Sequence, residues 1–301
     1  MSGKTSNRAG SIWNFAGLGP RELIHRVWRA FDEHDLPQRA SDLAYNSLLA
    51  AFPAILLLLA ILGLSASHGP ALQQTLIFSI SRTLPPSAFR LVSDTITEAS
   101  KNSGGAKLTI GVLISLLAAL SSMTSMMAAL NCAHGVAETR SWWKVRGIAL
   151  ALTALLSALI LFALLVVFLG DQIADLAGTV LRLEDIVVAA WKLMQWVVAL
   201  VFMVISFSLV YYFGPNLGRR RWHWLTPGSV FGVLLWFAAT FSFRAYLHFF
   251  NTYSKTYGSL GAAIILLVWL YVAGLAFLIG GEIDAAIEAK ALAASAAHPG
   301  S

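Results

Sequence analysis

From Thr256 to Gly281 the chain runs for 26 residues without a charged side chain. A helix of that length crosses a hydrocarbon core of ~30 Å with allowance for tilt. Hydrocarbon tolerates a backbone only when its polar groups are bonded internally, so the run predicts a transmembrane α-helix. Its ends are more decorated than an anchor needs. Tyr257, Gly258, Ser259 and Gly261 crowd one end, and Gly280–Gly281 leads straight into Glu282 and Asp284 at the other. These residues either serve close helix packing and solvated carboxylates, or they belong to a functional layer.

Five further apolar stretches accompany it: Leu43–Ser67, Leu108–Ala133, Gly147–Gly170, Leu193–Gly218 and Leu225–Phe243. Only 12% of the 301 residues are charged and 57% are hydrophobic, with a mean hydropathy of +0.71. A soluble domain carries ~25% charge, so lipid is the solvent this composition requires. The expected fold class is all-α, a polytopic integral membrane bundle of six transmembrane helices. The +6 charge does not point to nucleic acid, because the basic residues flank the apolar stretches instead of forming one patch. Six lie before residue 42, three in 134–147, three in 215–224 and one after 288, against eight on the opposite side. That bias predicts both termini in the cytoplasm. The opening MSGKTSNRAGSIWNFAG has no apolar run or cleavage site, so no cleaved signal peptide is expected.

Three parts follow. Residues 1–41 form a cytoplasmic tail and a basic amphipathic helix, RELIHRVWRAF, with Ile24, Val27, Trp28 and Phe31 on one face. That helix either lies in the headgroup layer beside anionic lipid or packs under the bundle. Residues 42–288 form the membrane domain, including an outer amphipathic segment, 68–107, broken at Pro85–Pro86. Residues 171–192 are expected as a loop, and residues 289–301 as a cytoplasmic C-terminal tail.

The polar residues inside this domain are the candidates for a pathway or functional layer. Asp42, Tyr45 and Asn46 open the first span, which also holds the helix-kinking Pro53. Ser121, Ser122 and Ser125 form a hydroxyl run in the second span, closed by Asn131. Such hydroxyls either bond between helices or line a polar cavity. Asn216 ends the fourth span, Arg244 stands one turn from the end of the fifth, and Tyr257, Gly258 and Glu282 bracket the sixth. Asp42 and Glu282 are expected at one membrane face, as are Asn131 and Asn216.

Catalytic constellations are not visible. The seven histidines are scattered without an i, i+4 pair, and there is no HExxH, GxSxG or Walker lysine. Cys132 is the single cysteine, so no intrachain disulfide is available. No enzyme, cofactor or metal site is expected.

Four places carry a family likeness: AYNSLLAAFP from Ala44 to Pro53; Asn131 with Glu138, Arg140, Trp142, Trp143 and Lys144; YFGPN at 212–216 with Pro227–Gly228; and the last span with LIGGEID. Over residues 25–288 the chain resembles the YihY/BrkB family of bacterial inner-membrane proteins, some of which were labelled ribonuclease BN. It departs at Asn46, where an aromatic is frequent, and at Gly281, where alanine is usual. The resemblance implies a multi-pass protein of the bacterial inner membrane without an agreed activity, loosely linked to envelope lipid or lipopolysaccharide transport. The sequence therefore predicts a transporter-like protein moving a lipid or another amphiphile. The alternative is a structural scaffold of the cell envelope. Membrane lipids, an envelope protein or a second copy are its expected partners, and nuclease activity is disfavoured.

Overall fold

A computed structural model describes residues 12–64, 105–181, 185–218, 225–249 and 253–297. Among the described residues there are seven α-helices: α1 (Pro20–Glu33), α2 (Leu36–Leu64), α3 (Gly105–Ala133), α4 (Trp142–Leu181), α5 (Asp185–Phe213), α6 (Pro227–Phe249) and α7 (Tyr253–Ala297). No strand accompanies them among these residues. The expected outer segment lies outside the described residues from 68 to 104, as do Arg219, Arg220 and Arg221.

Among the described residues, five helices are long and apolar enough to cross a membrane: Leu116–Ala133, Trp142–Ala163, Leu193–Phe213, Pro227–Leu247 and Ala263–Ala293. They coincide with the second to sixth expected spans. Only 11–33% of each window is buried by the protein itself. Leu155, Ile160, Phe162, Trp196 and Phe241 all stand exposed. Such a surface suits hydrocarbon and is incompatible with water. For the first expected span, α2 runs unbroken past Pro53 to Leu64, and residues 65–67 lie outside the described set.

The expected loop 171–192 is corrected. α4 continues to Leu181 and α5 begins at Asp185, leaving 182–184 between them. Asp171 and Asp175 are compatible with a helix, and the neighbouring Ala174, Leu176 and Ala177 favour one. At 40 residues α4 is ~60 Å long, about twice the hydrocarbon core. α7, at 45 residues, also outruns the core and remains helical through the expected C-terminal tail to Ala297.

The chain divides into two compact units. One comprises residues 1–34, 127–234 and 277–301. Its N-terminal part is less tail-like than expected. After a 3-10 turn at Ile12–Gly17, Leu18 is buried with Ile283 and Ile287 of α7, and Leu23 and Val27 pack against that cluster. α1 starts at Pro20, which needs no N–H partner at a helix start, and Glu22 complements the helix dipole there. It ends at His34, whose N–H returns to Ala30, and Asp35 turns the chain with φ +51. Aspartate tolerates that left-handed conformation better than most side chains. The expected single apolar face is in fact two stripes. Val27 faces inward with Leu23 and Ala30, while Ile24 and Trp28 are 68% and 72% exposed.

The other unit comprises residues 35–126 and 235–276. Ala40, Leu43 and Ala44 of α2 are buried there, and Gly274 of α7 lies against Ala40 and Leu43. Trp236 of α6 meets Trp269 of α7 edge-on at 6.1 Å between ring centroids.

Candidate functional site

In the first unit, short polar loops at the helix ends are knitted together by a few long-range bonds. The last turn of α3 carries Asn131, buried, whose Oδ1 accepts the Asn216 backbone N–H at 2.6 Å. Its Nδ2 donates to Glu138 Oε2 at 2.9 Å. Asn216 reaches back, donating to Thr139 Oγ1 at 2.8 Å and to the Ala137 carbonyl at 3.0 Å. The two asparagines expected at one face are thus in direct contact.

Glu138 is clamped by Arg140. The guanidinium donates through Nε to Oε1 at 2.8 Å and through Nη2 to Oε2 at 2.6 Å, and the Arg140 N–H adds a third bond to Oε1 at 3.0 Å. Nη2 also donates to the Gly214 carbonyl at 2.8 Å, just beyond the end of α5. The Arg140 hydrogen bonds hold the Glu138 carboxyl down at about 2 against an ordinary 4.5, with the Asn131 bond acting the same way. The Arg140 side chain is only 9% exposed, so this ion pair is more than surface decoration.

α6 begins in the same unit with two sets of caps. Thr226 Oγ1 accepts the Ser229 N–H at 3.1 Å, and Ser229 Oγ accepts the Thr226 N–H at 3.2 Å, a reciprocal capping box with serine in the usual Glu position. Ser208 of α5 donates to the same Ser229 hydroxyl at 2.8 Å. From α7, the buried Asp284 accepts the Gly228 N–H at 2.8 Å, placing an anion at the positive end of the helix dipole. This needs backbones in close approach. A Cβ on Gly228 would strike the Gly280 carbonyl and Asp284, and one on Gly280 would strike the Tyr211 hydroxyl and lie 2.7 Å from the Gly228 carbonyl. Tyr211 is buried and donates to the Phe277 carbonyl, so it is a packing residue.

α7 carries two further carboxylates in this unit. Glu282 is buried and meets His34 Nδ1 at 2.7 Å. Glu288 Oε2 lies 3.3 Å from His134 Nε2.

The second unit holds the hydroxyl run. Asn46 Nδ2 donates to Ser125 Oγ at 3.1 Å, and Ser47 and Ser122 hydroxyls share a bond at 3.0 Å. These are half-buried polar rungs between α2 and α3. Ser121 instead bonds back to the Leu117 carbonyl at 3.0 Å. Asp42 is exposed and accepts from Gln38 at 3.4 Å; Tyr45 and Arg244 are exposed as well. Tyr257 and Gly258 lie in α7, and Pro53 in α2, but their side chains lie outside the described residues.

His34, His134, Glu288, Thr226 and Ser229 escape the sequence reading, as does the contact of Asp284 with the Gly228 N–H. Thr226-Pro227-Gly228-Ser229 does bear a local signature, a threonine N-cap followed by proline at the first helical position. The histidine partners have none, since His34 and Glu282 are separated by 248 positions.

Long apolar helices with lipid-compatible surfaces, joined through bonded polar ends, define an α-helical polytopic membrane protein. The chain belongs to the virulence factor BrkB family, whose description matches residues 27–300. It is 30% identical to the putative ribonuclease-like protein YfkH of Bacillus subtilis, over 89% of this chain and 96% of that protein. It is 28% identical to UPF0761 membrane proteins of Xanthomonas campestris and Xanthomonas axonopodis, over 87% of this chain. The chain spans 60% of the length of those Xanthomonas relatives. No solved structure matches it.

Proposed function

We propose that this chain is a transporter-like protein of the bacterial cytoplasmic membrane, with six spans and both termini inside, that moves a lipid or another amphiphile. The observation that supports this best is the pair of polar rungs, Asn46–Ser125 and Ser47–Ser122, set half-buried between helices that are otherwise apolar. A polar stripe on an apolar bundle offers a headgroup its hydrogen bonds while the tails stay in hydrocarbon. Asp42, Tyr45, Ser121, Asn131, Asn216, Arg244, Tyr257, Gly258 and Glu282 are the further residues assigned to this polar route, and Pro53 to the bend of the first span. In this reading the chain is not an enzyme and takes no cofactor, and the ribonuclease-like name of YfkH is not transferred to it.

The test is reconstitution into liposomes with headgroup-labelled phospholipids, comparing wild type with Asn46→Leu and with Ser122→Ala/Ser125→Ala. Transfer faster than in empty vesicles, slowed by the substitutions, supports the reading. Wild-type vesicles that behave as empty ones remove the lipids tried.

A structural scaffold is the second reading, favoured by the exposed Ile24 and Trp28 on α1. Cross-linking would then recover a stoichiometric envelope partner, and Trp28→Ala would abolish the link.

A further inference from the structure

α4 enters the membrane on four large side chains, Trp142, Trp143, Lys144 and Arg146, none of them buried. Trp142 and Trp143 are 60% and 78% exposed and meet edge-on at 4.5 Å between ring centroids. The Arg146 guanidinium lies 5.5 Å from the centroid of the Trp142 ring, within cation–π range. Two adjacent exposed indoles are costly in water and at home at the level of lipid headgroups, where the ring is half solvated and its N–H finds acceptors. The span that begins at Trp142 sets them at that depth.

The positive charge here is not balanced by the protein. Glu138, the nearest acid in the sequence, is held by Arg140. The next along α4 is Asp171, at the other end of the apolar run. Among the described residues no carboxylate pairs with Lys144 or Arg146. The helix itself does not call for them either. α4 has no acid in its first turn, and cations at a helix start oppose the dipole.

Below Trp143, the residues Gly147, Leu150 and Ala154 continue one exposed stripe at helical spacing. Packing within the chain does not require the glycine, because a Cβ there would meet nothing within 4 Å. Glycine inside a helix is destabilising relative to alanine. What it leaves is a notch on the exposed face, between Trp143 and Leu150 and one turn from Lys144.

We propose that Trp142, Trp143, Lys144 and Arg146 bind the headgroup of an anionic phospholipid, with its glycerol backbone in the Gly147 notch and its acyl chains along Leu150 and Ala154. Lys144 and Arg146 supply charge and N–H donors to the phosphate. The two indoles fix the depth, and the cation–π contact keeps the Arg146 fork beside them. The site concerns a lipid held at the protein surface. It goes beyond the transport reading and stands whether or not the chain moves an amphiphile.

The experiment is native mass spectrometry of the full chain in detergent, titrated with phosphatidylglycerol or with phosphatidylcholine at matched concentration. Wild type retains the anionic lipid in preference to the zwitterionic one. In Lys144→Gln/Arg146→Gln the affinity for phosphatidylglycerol falls about tenfold, toward that for phosphatidylcholine. Arg26→Gln/Arg29→Gln, which removes the same charge from α1, keeps the wild-type preference. Gly147→Leu fills the notch at unchanged charge and weakens phosphatidylglycerol binding severalfold. Glycerol phosphate at the same concentration leaves the lipid bound, which separates a membrane lipid from a soluble phosphate. Thermal unfolding in the same detergent checks that each variant is folded. Equal retention of the two lipids by wild type overturns the proposal, as does displacement by glycerol phosphate. So does a wild-type preference in either α4 variant, or an equal loss in the α1 variant.

Discussion

Glu138→Gln is the perturbation with the best-defined magnitude. Glu138 accepts from Arg140 Nε, Nη2 and backbone N–H and from Asn131 Nδ2, at 2.6–3.0 Å. Holding its carboxyl at about 2 instead of 4.5 corresponds at face value to about 3 kcal/mol. The Glu138 side chain is 32% exposed, and solvent screening reduces this to about 1–2 kcal/mol. Glutamine keeps the shape but turns one acceptor into a donor aimed at a cation, and it leaves Arg140, at 9% exposure, without its counter-charge. The expected total loss is about 1–3 kcal/mol, read as a drop of several degrees in the Tm of the detergent-purified protein. The pH dependence has a definite sign. A carboxyl lowered on folding contributes fully above its unfolded value, and the contribution fades as pH falls from about 4.5 toward 2. The gap between wild type and variant is therefore constant from neutrality to about pH 5 and narrows below. An unchanged Tm at neutral pH, or a gap that widens on acidification, refutes the reasoning.

Two neighbouring glycines should differ in their response to alanine. Gly280→Ala drives a methyl into the Tyr211 hydroxyl and Gly228 backbone, costing about 1–3 kcal/mol. In Gly281→Ala the nearest atom, 2.6 Å away, is the tip of Leu130, which a rotamer change moves aside, so the Tm stays within a degree or two of wild type. Asp284→Ala removes the cap from α6 and lowers stability by about 1–2 kcal/mol, whereas Asp284→Asn retains an acceptor for Gly228 and loses less than half of that. Thermal unfolding of the four purified variants in one detergent checks both pairs.

What was legible in the sequence was set by local pattern. A charge-free run such as 256–281 dictates a spanning helix, and the sequence puts Asn131 and Asn216 at ends of spans on one face without showing that they bond each other. The loop expected at 171–192 is mostly helix, because charge alone does not break one: Asp171 and Asp175 stand beside Ala174, Leu176 and Ala177. The apolar face of α1 was misassigned because Ile24 and Val27 are close on a helical wheel, and only the positions of Ile283 and Ile287 decide which turns inward. Asp284 at the start of α6 and Glu288 beside His134 were beyond reach for a different reason. Their meaning depends on partners 56 and 154 positions away, and a buried carboxylate looks the same in sequence as a solvated one.

The function proposed for this bundle is to pass an amphiphile across the bilayer. It is tested most directly by the initial rate at which headgroup-labelled lipid exchanges between leaflets of liposomes holding the purified chain. The account predicts a rate that rises in proportion to the protein incorporated and falls severalfold in Asn46→Leu at equal incorporation. A rate independent of protein content, equal to that of protein-free liposomes for every lipid class tried, contradicts it.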